Sequence, residues 1–165
     1  MVVLKQEEML TSAEDAVCFA LKRGAVEAEA FAYQGLTTNV TIERGQIARS
    51  SRIIDRGLGV RVVVNKTVGF CYTNVLESKP TIEEVILKAV SSAKASKPDK
   101  DWQGLPTKKS FTPVKNTYDG KIVDLCSEDL VNIASRMLEA AEKASKRVIL
   151  TEGGAGVSLL SQAIA

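Results

Sequence analysis

Histidine is absent from the 165 residues, and no other feature of the composition excludes as much. Without an imidazole the chain supplies no Ser/His or Cys/His pair, no His metal ligand and no imidazole general acid or base, unless a partner chain brings the missing group. Aromatics are only 5%, so the core must be Val, Ile, Leu and Ala. Cysteine is scarce: Cys18, Cys71 and Cys126 lie far apart and make neither a disulfide framework nor a Cys-x-x-Cys motif, so they read as reduced core residues. The start, Met1 to Glu8, places acidic residues where a signal peptide needs an apolar region, and the expected location is the cytoplasm. No run approaches the ~18 apolar residues of a spanning helix, so no membrane partner is expected. The net charge of +2 is too small for a nucleic-acid footprint, and nucleic acid is not expected as a partner either.

What is present is ordinary for a globular protein, with 45% hydrophobic and 25% charged residues in a length suited to one domain over 1–165. Leu10, Ala13, Val17, Ala20 and Leu21 recur at helical spacing, Thr11 and Glu14 have capping-box spacing, and Gly24 suits a left-handed C-cap. The start of this helix is open, because Lys5 to Met9 extends the pattern and would leave Thr11 inside it. Short β-branched runs follow at 28–33, 38–43, 46–54, 57–64 and 67–72, with Arg44-Gly45 and Asn65-Lys66 as hairpin turns. Leu58, Val60, Val62 and Val64 share one face of the fourth run. After Pro80, Thr81 and Glu84 repeat the capping spacing before a stripe of Ile82, Val85, Ile86, Ala89 and Ala93 that stops ahead of Pro98. Residues 97–121 read as a long loop. Ser127 caps a third helix facing inward through Leu130, Ile133, Ala134, Met137, Leu138 and Ala141, and two strands at 147–151 and 157–164 flank Gly153-Gly154-Ala155-Gly156. The expected class is α+β: an antiparallel meander sheet packed with about three helices.

Few residues invite chemistry. The glycines of 57–59 and 153–156 lack the strand-to-helix context of a phosphate loop and read as turn or close-packing positions. Glu27 and Glu29 share a strand face and read as solvated, and Asp55 beside Arg56 reads as a loop pair. Lys94, Lys97, Lys100, Lys108 and Lys109 make the loop basic, with Trp102 and Phe111 nearby, and Trp102 is expected to pack on its own domain or on a partner. Arg61, in a Val-rich strand, must face solvent or be paired, and a structural ion pair and a ligand or subunit contact both remain open. Phe70 is expected in the core.

The stretch Gly57-Leu-Gly-Val-Arg61-Val-Val-Val-Asn-Lys-Thr-Val-Gly69-Phe70-Cys-Tyr-Thr73-Asn74 resembles the TldD/PmbA family, often labelled modulators of DNA gyrase. Gly24 to Glu29 is similar to that family's entry strand, Glu43-Arg44-Gly45-Gln46-Ile47 to its first hairpin, 81–93 to its Ala-rich helix, and Tyr118-Asp119 to its motif before the third helix. The resemblance covers residues 10 to 145. It implies the N-terminal domain alone, because the zinc peptidase motif His-Glu-x-x-x-His of the catalytic branch lies in a C-terminal domain that this histidine-free sequence does not contain. The function implied is that of a truncated or split N-terminal domain. It would contribute to dimer assembly and the substrate path of a metallopeptidase complex without being catalytic alone, and it would hold no cofactor and no metal. Its partner is expected to be a second copy or a TldD-like chain, with peptide substrate in the complex, met by strand addition at a sheet edge. Arg61, Thr73, Asn74 and Trp102 are the candidate partner or peptide contacts. The alternative is a stand-alone protein–protein interaction module. The segment Ser161 to Ala165 is expected to leave an open sheet edge, unblunted by charge or proline after Glu152, that promotes association together with the apolar surface of Val157, Leu159 and Leu160.

Overall fold

The structure, a computed structural model, describes residues 6–76, 78–107, 112 and 114–165. Lys108, Lys109 and Phe111 of the basic loop lie outside the described residues. The elements are α1 (Gln6–Lys22), β1 (Glu27–Glu43), β2 (Gln46–Val64), β3 (Thr67–Thr73), α2 (Lys79–Ala95), α3 (Gly120–Val123), α4 (Ser127–Ala144) and β4 (Glu152–Ile164). The strands form one antiparallel sheet in the order β3-β2-β1-β4, as the α+β reading expects, with four helices in place of about three. Two compact units divide the chain. The first holds the chain up to Gln34, Asp55–Thr112 and Ser161–Ala165, and the second holds residues 35–54 and those from beyond Thr112 to Leu160.

In the first unit, α1 begins with acidic Glu7 and Glu8, which suit the positive end of the helix dipole. It closes before Gly24, whose φ of 98° only glycine adopts without strain. Thr11 is inside the helix, its hydroxyl donating to the Glu7 carbonyl at 2.9 Å, so the cap expected there is not one. The buried face is Met9, Ala13, Ala16 and Ala20, while Leu10 and Leu21 are exposed. The N-cap of α2 is Ser78, three residues ahead of the expected Thr81, which it caps by accepting from the Thr81 amide; Pro80 then fits the first turn.

β2 and β3 pair through a turn at Asn65 and Lys66, both at positive φ, with Leu58 opposite Thr73, Val60 opposite Cys71 and Val62 opposite Gly69. On the helix side Leu58, Val60 and Val62 are fully buried with Ile86, Ala89 and Ala93 of α2. The decisive position is Gly69. A Cβ there would collide with the Ala89 carbonyl and the Ala93 backbone, so α2 sits directly against the strand. Among the described residues no aromatic is fully buried, in line with the expected Val, Ile, Leu and Ala core.

In the second unit Val40 and Ile42 of β1 pack with Leu130 and Ala134 of α4. Cys126, not Ser127, is the N-cap of α4, and its amide donates to the Asp129 carboxylate at 2.8 Å. Ile133 and Met137, expected inward, are exposed. Arg44 and Gly45 adopt positive φ at the β1–β2 turn, and their amides donate to the Thr151 and Leu150 carbonyls.

Three strand boundaries differ from the sequence reading. The runs 28–33 and 38–43 are one strand, as are 46–54 and 57–64, because nothing between them forces a turn: Gly35 and the pair Asp55-Arg56 sit in extended backbone. Residues 147–151 are not a strand, and β4 begins at Glu152, so its glycines are strand residues. They permit close approach, since a Cβ on Gly154 would meet the Val40 carbonyl at 2.5 Å. Cys18 and Cys126 are exposed and Cys71 is half-buried, so the cysteines are not core residues.

Gly69→Ala should destabilise the chain by about 1 to 3 kcal/mol or more, as overpacking against an unyielding backbone does. Gly120→Ala, where a Cβ meets open space, should stay within about 0.5 kcal/mol. Urea unfolding of both variants measures the contrast.

Candidate functional site

Helices cover one face of the first unit's sheet segment and leave the opposite face without a helix around Phe31, Phe70 and Tyr72. Strand alternation dictates which residues that face presents. Burying Ala30 and Ala32 turns Glu29, Phe31 and Tyr33 of β1 outward; burying Leu58, Val60 and Val62 turns Gly57, Gly59 and Arg61 of β2 outward; seating Gly69 under α2 turns Phe70 and Tyr72 of β3 outward. Four of the chain's eight aromatic residues therefore stand on one solvent-facing surface.

The rings are organised in two ladders. Phe31 and Tyr33 stack with centroids 6.2 Å apart, and Phe70 and Tyr72 with centroids 6.4 Å apart. Between the ladders Gly57 and Gly59 supply no side chains. The Phe70 ring lies 3.0 Å from where a Gly59 Cβ would be, and Tyr33 lies 2.8 Å from that of Gly57, so the rings lean over the central strand. A shallow trough of about 710 Å³ results, closed at one end by Asp55, Thr73 and Asn74. The Tyr33 hydroxyl donates to the Asp55 carboxylate at 3.0 Å, which holds the Tyr33 phenol above its ordinary range, with partial burial adding to the effect. Asp55 is thus a strand residue with a partner, not half of a loop pair.

Of the residues singled out from sequence, Thr73 and Asn74 line this trough. Thr73 is tied to the backbone, its Oγ1 accepting from the Val75 amide at 3.1 Å. Arg61 lies opposite Phe70, beside the trough, and pairs with Glu29 at 2.7 Å with 47% of its side chain exposed, which realises the ion-pair reading at a solvated site. Trp102 is not brought to the trough. Its indole donates to Glu27 at 3.0 Å and the Leu105 amide donates to the same carboxylate, so Glu27 anchors the loop within its own unit. The indole bond, then the Leu105 bond, holds the Glu27 carboxyl below the usual range.

Phe70 overturns an expectation: at 59% exposure it is a surface residue. The sequence reading assigns Phe70 to the core and gives Phe31, Tyr33 and Tyr72 no role, so the ladders do not emerge from it. The signal was present in parity, since Phe70 and Tyr72 alternate with Gly69 and Cys71, and Gly57 and Gly59 alternate with Leu58 and Val60. Among the described residues no group of three His, Cys, Asp or Glu could hold a metal ion. No described helix is long and apolar enough to cross a membrane.

Phe70→Ala should cost no more than about 1 kcal/mol in a urea melt, the range of surface and cross-strand pair losses, in place of the 3 to 5 kcal/mol of a core truncation. The Glu27 anchor carries a pH dependence. A carboxylate with a lowered folded pKa contributes stability that is present above the unfolded pKa and is lost as pH falls through the folded one. Trp102 fluorescence should therefore change on acidification only below the usual carboxylate range, and Glu27→Gln should abolish that transition.

Residues 28–94 match the family model described as PmbA/TldA metallopeptidase domain 1. No curated protein matches the chain. Among solved structures the chain is similar to TldE from Thermococcus kodakarensis, with TM-score 0.82, 21% identity, and coverage of 93% of this chain and 34% of that one. It is also similar to a proposed modulator of DNA gyrase from Thermotoga maritima MSB8, with TM-score 0.73, 17% identity, and coverage of 94% and 34%. A third, from Bacteroides thetaiotaomicron VPI-5482, has TM-score 0.72, 22% identity, and coverage of 93% and 40%. The chain spans about a third of the length of the first two. The family resemblance carried by Gly57 to Asn74 thus holds, and the chain has the fold of the TldD/PmbA first domain.

Proposed function

We propose that this chain acts as the N-terminal, non-catalytic domain of a cytoplasmic metallopeptidase assembly, helping to hold a catalytic partner chain and to lead peptide substrate toward that partner's metal site. The observation that carries this reading is the likeness to TldE over 93% of the chain, together with the family-model match at 28–94. The chemistry of the sequence supports it: a chain without histidine offers no imidazole to a peptidase metal site, so zinc-dependent cleavage has to draw its ligands from elsewhere. Thr73, Asn74, Arg61 and Trp102 are the residues assigned to partner or peptide contact in this reading, the first two from the trough and Arg61 from its rim. The sheet order leaves β4 at one edge, and within β4 only Glu152 carries a charge, so little opposes pairing of that edge with another strand.

The test is purification of the chain from its native host under mild conditions, with the partners sequenced. The expected result is a co-purifying chain bearing His-Glu-x-x-x-His whose peptide cleavage is abolished by a chelator, while the isolated chain cleaves nothing. Recovery of the chain alone, or only with proteins lacking that motif, overturns the reading in favour of an independent interaction module.

A further inference from the structure

The helix α4 carries more apolar surface than its own unit buries, and the inference drawn from that surface does not depend on the assembly reading. Leu130 and Ala134 are buried with Val40 and Ile42 of β1, and Val131 and Leu138 are partly buried beside them. Ile133, Met137, Ala140 and Ala144 stand outside that cluster and are all exposed, Ile133 by 41% and Met137 by 38%. Their spacing of four, three and four residues gathers them within an arc of about 60° on the helix, directly beside the buried stripe. It is also the a and d spacing that one helix offers to another. The charges divide accordingly. Glu128, Glu139 and Glu142 lie on the opposite side of the helix, whereas Arg136 and Lys143 flank the open stripe along its free margin. Asp129 flanks it too, but its carboxylate already accepts from the Cys126 amide.

Its occupant can be argued from size and charge. Along the stripe the residues pass from large to small, so a second copy of α4 running antiparallel would set Ile133 against Ala144 and Met137 against Ala140. That register also sets Arg136 of each copy beside Lys143 of the other, and like charges along a helix seam are unfavourable. A second copy therefore fits in size and fails in charge. Arg136 has no ion pair among the described residues, and Lys143 reaches Glu139 only at 3.6 Å with 79% of its side chain exposed. Both cations can receive carboxylates from outside the unit. We infer that the open stripe of α4 binds an amphipathic helix of a partner chain, one whose apolar a and d residues meet Ile133, Met137, Ala140 and Ala144 and whose flanking positions carry glutamate or aspartate toward Arg136 and Lys143.

The experiment is an amide NMR titration of the 165-residue chain with two capped helical peptides of three heptads each. One repeats Glu-Ile-Ala-Ala-Leu-Glu-Lys, and the other repeats Lys-Ile-Ala-Ala-Leu-Lys-Glu, which keeps the apolar seam and reverses the flanking charge. The expected result is saturable shifts centred on Ile133, Met137 and Ala140. The acidic peptide should bind at least about threefold more tightly than the basic one and lose that advantage in high salt. Met137→Gln, which keeps helix propensity, should weaken the acidic peptide about threefold or more. Arg136→Glu should bring the two peptides to parity or invert their order. Both positions are exposed, and dispersed spectra would confirm that the variants fold. Equal binding of the two peptides by the unaltered chain, shifts centred outside α4, indifference to both substitutions, or no saturable shift at millimolar peptide would each overturn the inference. Concentration-dependent shifts of the same α4 amides without peptide would overturn it in favour of a second copy.

Discussion

The seating of α2 directly on the backbone of β3 at Gly69 is the contact on which the first unit depends. With no Cβ on Gly69, the Ala89 carbonyl and the Ala93 backbone approach closer than any side chain would permit. That approach brings Ile86 and Val90 down onto Leu58, Val60 and Val62 in a core whose fully buried members are aliphatic residues and Met9. Each large aliphatic residue so buried contributes roughly 1.5 to 3 kcal/mol, so a shift of the helix would weaken several such terms together. The alanines of α1 and α2 belong to the same scheme, since short side chains keep the helices close to the sheet, with Phe19 packing at the cluster's partly buried margin.

Fixing one face in this way determines the other. Strand alternation leaves no freedom once Gly69 and Val62 point at α2: Phe70, Tyr72, Gly59 and Arg61 must point away. The outer glycines are then as constrained as the inner one, but by aromatic rings lying over them and not by a helix. The charges on that face are matched internally, with Arg61 on Glu29 and Tyr33 on Asp55, and Glu27 holds the incoming loop through Trp102 and Leu105. What stays unmatched is aromatic surface.

The fold was legible where local chemistry is unambiguous. Gly24, the two positive-φ turns at Arg44-Gly45 and Asn65-Lys66, and the alternation of Leu58, Val60 and Val62 each have one cheap solution, and the chain adopts it. Caps were displaced by three residues at α2, where Ser78 is as capable a cap as Thr81, and by one at α4, where the Cys126 amide bonds to the Asp129 carboxylate. The split of β1 and β2 into shorter runs failed because polar residues such as Gln34, Thr37 and Asp55 read as loop signals, whereas a long strand tolerates them wherever they face solvent or a partner. The candidate site was half legible: Thr73 and Asn74 were marked by their place after the Gly-Phe strand, but the aromatic face depends on which side α2 occupies. Only Gly69, whose role is to be absent of a side chain, records that choice.

The chain has the fold of a TldD/PmbA first domain, with helices on one face of the first unit's sheet segment and exposed aromatic rings on the other. Hydroxyl-radical footprinting read by mass spectrometry tests this division most directly. The account predicts that Phe70 and Tyr72 in the isolated chain are modified at close to the rate of the same peptide after unfolding, while Leu58 and Val60, their neighbours across the sheet plane, stay protected. Protection of Phe70 and Tyr72 equal to that of Val60 would contradict it, because the outer face would then be sealed by the chain itself.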